Sequence, residues 1–202
     1  MILRRQNAAD DVAVRAIVNS AFGDHGSNVV RLLDALDAAN HSPISLVAED
    51  EQGGLAGHVQ LSHSWLDAPE RLVEVLVLSP LSVRPDLQGR GLGTTLIHEA
   101  IDAATAFGAP AVFLEGSPAY YGSRGFAQGS AHGFTRPSVR IPDAAFQVAV
   151  LPAYERWMTG AVAYCDAFWA TDCVGLRVPH ALPDRIEHSG YLGSKTNDIG
   201  SI

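Results

Sequence analysis

Apolar residues recur at helical spacing twice near the start of the chain. Val12, Ala16, Ile17 and Phe22 share one stripe and predict a helix over about 9–21, broken by Gly23. Val29, Leu32, Leu33 and Leu36 form a second stripe; Ser27 or Asn28 is placed to cap it, and Asn40 and Pro43 end it. Residues 2–5 read as a short strand ahead of both. The period then shortens. Residues 44–49 make a strand, Gly53-Gly54 a hairpin turn, 55–66 a long second strand and 71–83 a third. Pro80 lies inside that third run. It cannot donate to a strand ladder, so a bulge or splayed edge is expected there.

A helical stripe returns at about 91–107, with Leu92, Leu96, Ala100 and Ala104 reinforced by Ile97 and Ile101, and Gly108 and Pro110 stop it. Residues 111–115 read as a short buried strand, 118–123 as a short helix closed by Gly125, and 145–151 as another apolar strand. Further on, 153–163 reads as partly helical. The stretch 179–202, with Pro179, Pro183, Gly190, Gly193 and Gly200, reads as a loose tail. Two helices, a run of strands, then a strand–glycine turn–helix–strand unit indicate a mixed α/β domain, taken as a single domain over 1–178.

Composition narrows the function. The 202 residues are 47% hydrophobic and 18% charged, ordinary for a globular chain that buries its own core. The formal net charge is −8 and no run of Lys or Arg occurs, which argues against a nucleic-acid partner. No stretch approaches 18 uninterrupted apolar residues and the N-terminus has no apolar signal-like region, so no membrane partner and a cytoplasmic location are expected. Cys165 and Cys173 form no CxxC and have no nearby His pair at ligand spacing. They read as reduced thiols, and no metal is expected.

The candidate chemistry starts at Val83-Arg84-Pro85-Asp86-Leu87-Gln88-Gly89-Arg90-Gly91-Leu92-Gly93-Thr94. A strand ends, glycines alternate with bulkier residues, and a helix begins. The N–H groups at a helix start are unsatisfied and carry partial positive charge, and glycines let a ligand approach the backbone. This is the make-up of a phosphate-binding turn, although a tight structural turn would use the same glycines. A Walker A loop is excluded because Thr94-Thr95, not Lys, follows Gly93; the dinucleotide fingerprint is excluded because the glycines fall as G-x-G-x-G.

Gln88-x-x-Gly91-x-Gly93 resembles the pyrophosphate motif of the GNAT acetyltransferases. Leu78-Ser79-Pro80-Leu81-Ser82-Val83 resembles the bulged strand that precedes it there, and Pro118-Ala119-Tyr120-Tyr121 with Gly125-Phe126 resembles that family's later aromatic motif, in its YhbS-type branch in particular. The resemblance covers about 2–151. It implies the GNAT acyl-CoA N-acyltransferase fold, with a mostly antiparallel central sheet splayed at the bulge and flanked by helices. It also implies acetyl-CoA as cosubstrate and an amine as acceptor. Gln88, Gly89, Arg90, Gly91, Leu92, Gly93 and Thr94 would hold the pyrophosphate. The strand segment Leu81, Ser82 and Val83 would pair with the pantetheine arm through the backbone of Leu81 and Val83. Ser117 and Tyr121 would lie near the sulfur, with Tyr121 protonating the departing thiolate. Arg124 stands where an aromatic is frequent in that branch.

A general base is harder to read. Glu115 ends a buried strand, where a carboxyl's pKa is raised toward neutrality, and is the catalytic candidate beside Tyr121. Glu74, His58 and His63 are weaker candidates, and water can serve instead. Tyr120 reads as a core aromatic. Trp157, Tyr164, Phe168 and Trp169 either wall an acceptor pocket or pack. Three functions stay open: transfer to a small primary amine, transfer to a protein N-terminus or lysine, and a non-catalytic acyl-CoA sensor. A homodimer is common for this fold and also stays open.

Overall fold

In the computed structural model, residues 1–175 are described. β1 (Ile2–Arg5), β2 (Ile44–Glu49), β3 (Leu55–Asp67) and β4 (Leu72–Val83) lie side by side, each antiparallel to the next. β5 (Ala111–Glu115) joins β4 in parallel, and β8 (Phe146–Val150) and the two-residue β6 (Ala127–Gln128) continue the sheet beyond it. β9 (Gly160–Tyr164) pairs with the far end of β3 and with β7 (Phe134–Thr135).

Strand alternation splits the core into two layers. Val47, Val75 and Val77 point to the face covered by α1 (Asp11–Phe22) and α2 (Gly26–Ala38), where they meet Val14, Val18, Leu32, Leu33 and Leu36. Leu46, Leu76 and Leu78 point to the opposite face, under Leu92, Leu96 and Ile97 of α3 (Leu92–Phe107). Leu96 is fully buried, and its truncation to Ala would cost about 2–5 kcal/mol.

The predicted irregularity sits at Pro80. Val59 stands opposite Leu81 and Leu61 opposite Leu78, so Ser79 and Pro80 together face Gln60 alone. The Ser79–Pro80 bond is cis. β4 is paired with β5 only at Leu76 and Val77; from Leu78 onward the two strands part. That split positions everything that follows.

Two local expectations fail. α2 starts at Gly26 with no capping side chain, because the helices pack closely there: a Cβ on Gly26 would fall on the backbone of Asn19. The Asn28 amide instead donates to the Thr171 carbonyl at 2.8 Å. The stretch 153–163 is not helical. Its second half belongs to β9, with Val162 and Tyr164 inward, because β2 ends at the level of Leu61 and leaves the Ser64–Asp67 edge of β3 open for a strand. Edge pairing there outweighs the helical preference of alanines. The short helix α4 (Pro118–Tyr121) passes into a 3-10 turn over Gly122–Arg124, and α5 (Asp166–Ala170) closes the described chain. No helix among these residues is long and apolar enough to cross a membrane. The tail read at 179–202 lies outside the described residues, as does the expected boundary at 178.

Candidate active site

The glycine turn opens a cleft of about 630 Å³ at the end of β4. Leu81 and Val83 line one side, Leu87, Gln88, Gly89, Gly91, Leu92, Gly93 and Thr94 the base, and Tyr120, Tyr121 and Arg124 the other side. Gly91 has φ +88°, a left-handed conformation that a side chain would strain, and it stands at the helix start with no side chain capping the turn. The first helical bond runs from Thr95 N–H to the Gly91 carbonyl at 3.1 Å, so the N–H groups of Leu92, Gly93 and Thr94 precede the ladder and have no intrahelical acceptor. The Gln88 side-chain amide donates to the Val83 carbonyl at 3.0 Å, pinning the turn to the strand end. Among the described residues, β4 beyond Val77 keeps β3 on one edge and has no strand on the other, leaving a backbone edge facing the cleft.

One of the two tyrosines differs from its sequence reading. Tyr120 is no core residue: it is 37% exposed, and its hydroxyl lies where a Cβ on Gly93 would stand. Tyr121 lies flat against Gly116, in space that any Cβ there would take. The two rings meet edge-on, with centroids 4.9 Å apart. Burial, with Tyr120 adding to it, pushes the Tyr121 hydroxyl up to about 12, so it is protonated at neutral pH. Arg124, read from the sequence only as standing where an aromatic is frequent, lines the cleft. Its guanidinium stacks 3.8 Å over the Tyr120 ring, and its Nε donates to Thr94 Oγ1 at 2.9 Å, placing a cation beside the glycine turn. The available signal was its spacing: Arg124 stands four residues after Tyr120, one helical turn away.

A second cavity, of about 390 Å³, lies on the α1/α2 face of the same split. Phe22, Val29, Leu32, Val77, Leu78 and Phe168 contribute apolar surface, and Glu115, Gly116 and Tyr164 stand at the end of β5 and on β9. The Gly116 backbone is fixed from both sides, its N–H donating to the Ala145 carbonyl and its carbonyl accepting from Gln147 Nε2, each at 2.9 Å. Burial pushes the Glu115 carboxyl up to about 7, opposed by the Gly175 N–H that donates to it at 2.9 Å, by Arg140 and by Tyr164. The Tyr164 hydroxyl is buried near Glu115, and burial followed by that neighbouring charge raises its pKa.

The remaining candidates are not gathered here. Ser82 is buried with its side chain away from the cleft lining, and Arg90 and Ser117 are exposed outside it. Ser117 caps α4, its carbonyl accepting from the N–H groups of Tyr120 and Tyr121. Glu74 is exposed and pairs with His63 on the surface. His58 is buried against Ser45, and burial lowers its pKa to about 4. Phe168 and Tyr164 do line the second cavity. Trp157 packs against the core under Arg71, and Trp169 is exposed, its indole N–H donating to the Tyr164 carbonyl. Both cysteines are free thiols. Among the described residues no group of three or more His, Cys, Asp or Glu side chains is arranged to hold a metal.

A model of the acetyltransferase (GNAT) family matches residues 13–134. The chain belongs to the GNAT acetyltransferase family. Membership makes it an acetyl-CoA N-acetyltransferase, one of the acyltransferases. It is 30% identical over 127 residues to the uncharacterized N-acetyltransferase YjhQ of Escherichia coli K12, across 62% of this chain and 67% of that one. Its fold is similar to that of Escherichia coli YhbS, solved in complex with CoA: TM-score 0.72, 25% identity, 83% of this chain and 91% of that one. A GNAT acetyltransferase from Brucella melitensis, solved with acetyl-CoA, superposes at a TM-score of 0.67 with 28% identity, over 83% of this chain and 97% of that one. The GNAT likeness covers the split sheet, the glycine turn and α3 together.

Proposed function

We propose that this chain transfers the acetyl group of acetyl-CoA to a primary amine of a small molecule, in the split between β4 and β5. The observation that carries this reading is the pair of cavities flanking the split. One has a phosphate-type turn at its base, and the other has a partly buried carboxyl. In this reading the N–H groups of the Gly89–Thr94 turn hold the pyrophosphate, with Arg124 beside them, and the free edge of β4 at Leu81 and Val83 pairs with the pantetheine amides. The thioester then lies beside Tyr121, and the amine arrives from the Glu115 side.

The amine lone pair attacks the thioester carbonyl, and the nitrogen gives up its proton to Glu115, directly or through water. As the tetrahedral species collapses, the carbon–sulfur bond breaks and the thiolate takes the Tyr121 proton. The products are the N-acetyl amide and free CoA thiol; Glu115 releases its proton to solvent and Tyr121 recovers one from it. A hydroxyl held protonated by burial supports the acid role, and a carboxyl poised near neutrality supports the base role. A cavity of about 390 Å³ has the volume of a small acceptor.

The experiment is thiol release from acetyl-CoA by the full chain over a panel of amines, repeated with Tyr121→Phe. The expected result is turnover with at least one amine, with kcat lowered about 100-fold in the variant and the Kd for acetyl-CoA within about twofold. Acetyl-CoA binding without thiol release from any amine would instead favour a sensor. An unchanged kcat in the variant would remove Tyr121 as the acid.

A further inference from the structure

The second cavity specifies more than smallness. Its walls are hydrocarbon: Phe22 from the end of α1, Val29 and Leu32 from α2, Val77 and Leu78 from β4, and Phe168 from α5. A polyhydroxylated or polycationic molecule would lose its water against such walls without gaining hydrogen bonds. Polar side chains are fewer: His25 and Asn28 from the α2 side, Ser79 from β4, and Glu115 and Tyr164 from β5 and β9. Glu115 is the carboxylate there; Asp172, also in the lining, is engaged by Arg140 at 3.2 Å. One carboxylate balances one ammonium.

The Tyr164 hydroxyl adds an independent sign. It is buried, borders the cavity and faces the Glu115 carboxyl, and among the described residues no hydrogen bond of standard geometry reaches its oxygen. A buried hydroxyl without a well-formed hydrogen bond is a cost that folding does not otherwise repay, and a ligand N–H set between it and Glu115 removes that cost. The Gly175 N–H already holds one Glu115 oxygen, which fixes the carboxylate's direction.

We infer that the acceptor is a compact monoamine with an apolar aryl or alkyl body. Its nitrogen is received by Glu115 and Tyr164, and its body is packed between Phe22, Leu32 and Phe168. This rests on the acetyl-transfer reading above and names its acceptor class. Tyr164 acts here as a positioning residue for the amine.

The test uses the full chain, acetyl-CoA and four acceptors: phenethylamine, spermidine, kanamycin and a lysine-containing peptide, with thiol release as readout. The expected kcat/KM for phenethylamine exceeds each of the others by about tenfold or more. Val29→Trp, which fills the cavity from a half-buried position, raises the KM for phenethylamine about tenfold and leaves the Kd for acetyl-CoA within about twofold. Tyr164→Phe raises the same KM about fivefold while leaving the Tm of the free chain equal or higher, because it removes a buried polar atom that has no well-formed hydrogen bond among the described residues. A merely structural tyrosine would lower the Tm and leave KM alone. Preference for spermidine, kanamycin or the peptide overturns the acceptor class and leaves acetyl transfer standing. Acetyl-CoA binding without thiol release from any of the four amines overturns both.

Discussion

The two cavities flanking the β4–β5 split are built from different materials. The cleft proposed for the donor is built largely from backbone: a glycine turn at the start of α3 and, among the described residues, an unpaired strand edge, with Arg124 adding a charge to the lining. The acceptor cavity is built from side chains, Glu115 and Tyr164 set among phenylalanine, leucine and valine. A backbone site recognises what every coenzyme molecule shares and tolerates drift in the side chains around it. A side-chain site is set by a handful of residues and can change its ligand with one substitution. In the proposed reading, donor and acceptor are thus held by parts of the molecule built from different materials.

This contrast can be broken most sharply at Glu115. Glu115→Gln keeps an oxygen for the Gly175 N–H but removes the base. Thiol release at pH 8 is expected to fall about 100-fold with acetyl-CoA affinity unchanged. In the native chain, kcat should rise with pH through about 7 as Glu115 loses its proton; in the variant that limb should be absent. Stability follows the opposite sense. The folded carboxyl titrates at about 7, above the ordinary value of 4.5, so between those values the folded chain holds a proton that the unfolded chain has released. The Glu115 contribution is therefore full below about 4.5 and is lost as pH rises through 7, by about 3 kcal/mol at most. Urea unfolding at pH 4.5 and pH 8 should show the variant gaining on the native chain at the higher pH. Equal pH dependence in the two proteins would place Glu115 in an ordinary aqueous setting.

A smaller effect is expected on the donor side. Arg124→Ala leaves the glycine turn in place, so acetyl-CoA affinity should weaken only about threefold to tenfold, and the salt dependence of binding should become shallower. A loss of a hundredfold or more would mean that a side chain, not the backbone, dominates donor binding, and would dissolve the contrast.

The same division explains what could be read from the chain. Gln88–Thr94 was legible because a phosphate turn needs its glycines contiguous, and Pro80 marked the bulge because proline cannot serve in a ladder. α1, α2, α3 and β1–β5 followed from periodicity. The acceptor cavity left no such trace. Asn28 bonds Thr171 across 143 positions of sequence and Glu115 bonds Gly175 across 60, and no local pattern announces such a meeting. Glu115 and Glu74 looked alike as carboxylates in apolar strands, and the cover supplied by β9, α5 and the residues after it distinguishes the partly buried one from the one facing water. β9 itself was hidden because its alanines favour helix, while the open edge of β3 that recruits it exists only in the folded sheet.

The most direct measurement is a pair of amide NMR titrations on the full chain, one with CoA and one with phenethylamine added to the CoA complex. CoA is predicted to shift the amides of Leu81, Val83 and Gly89–Thr94. The amine is predicted to shift Asn28, Gly116, Phe168 and Gly175. CoA moving the second set while leaving the glycine turn unperturbed would contradict the account.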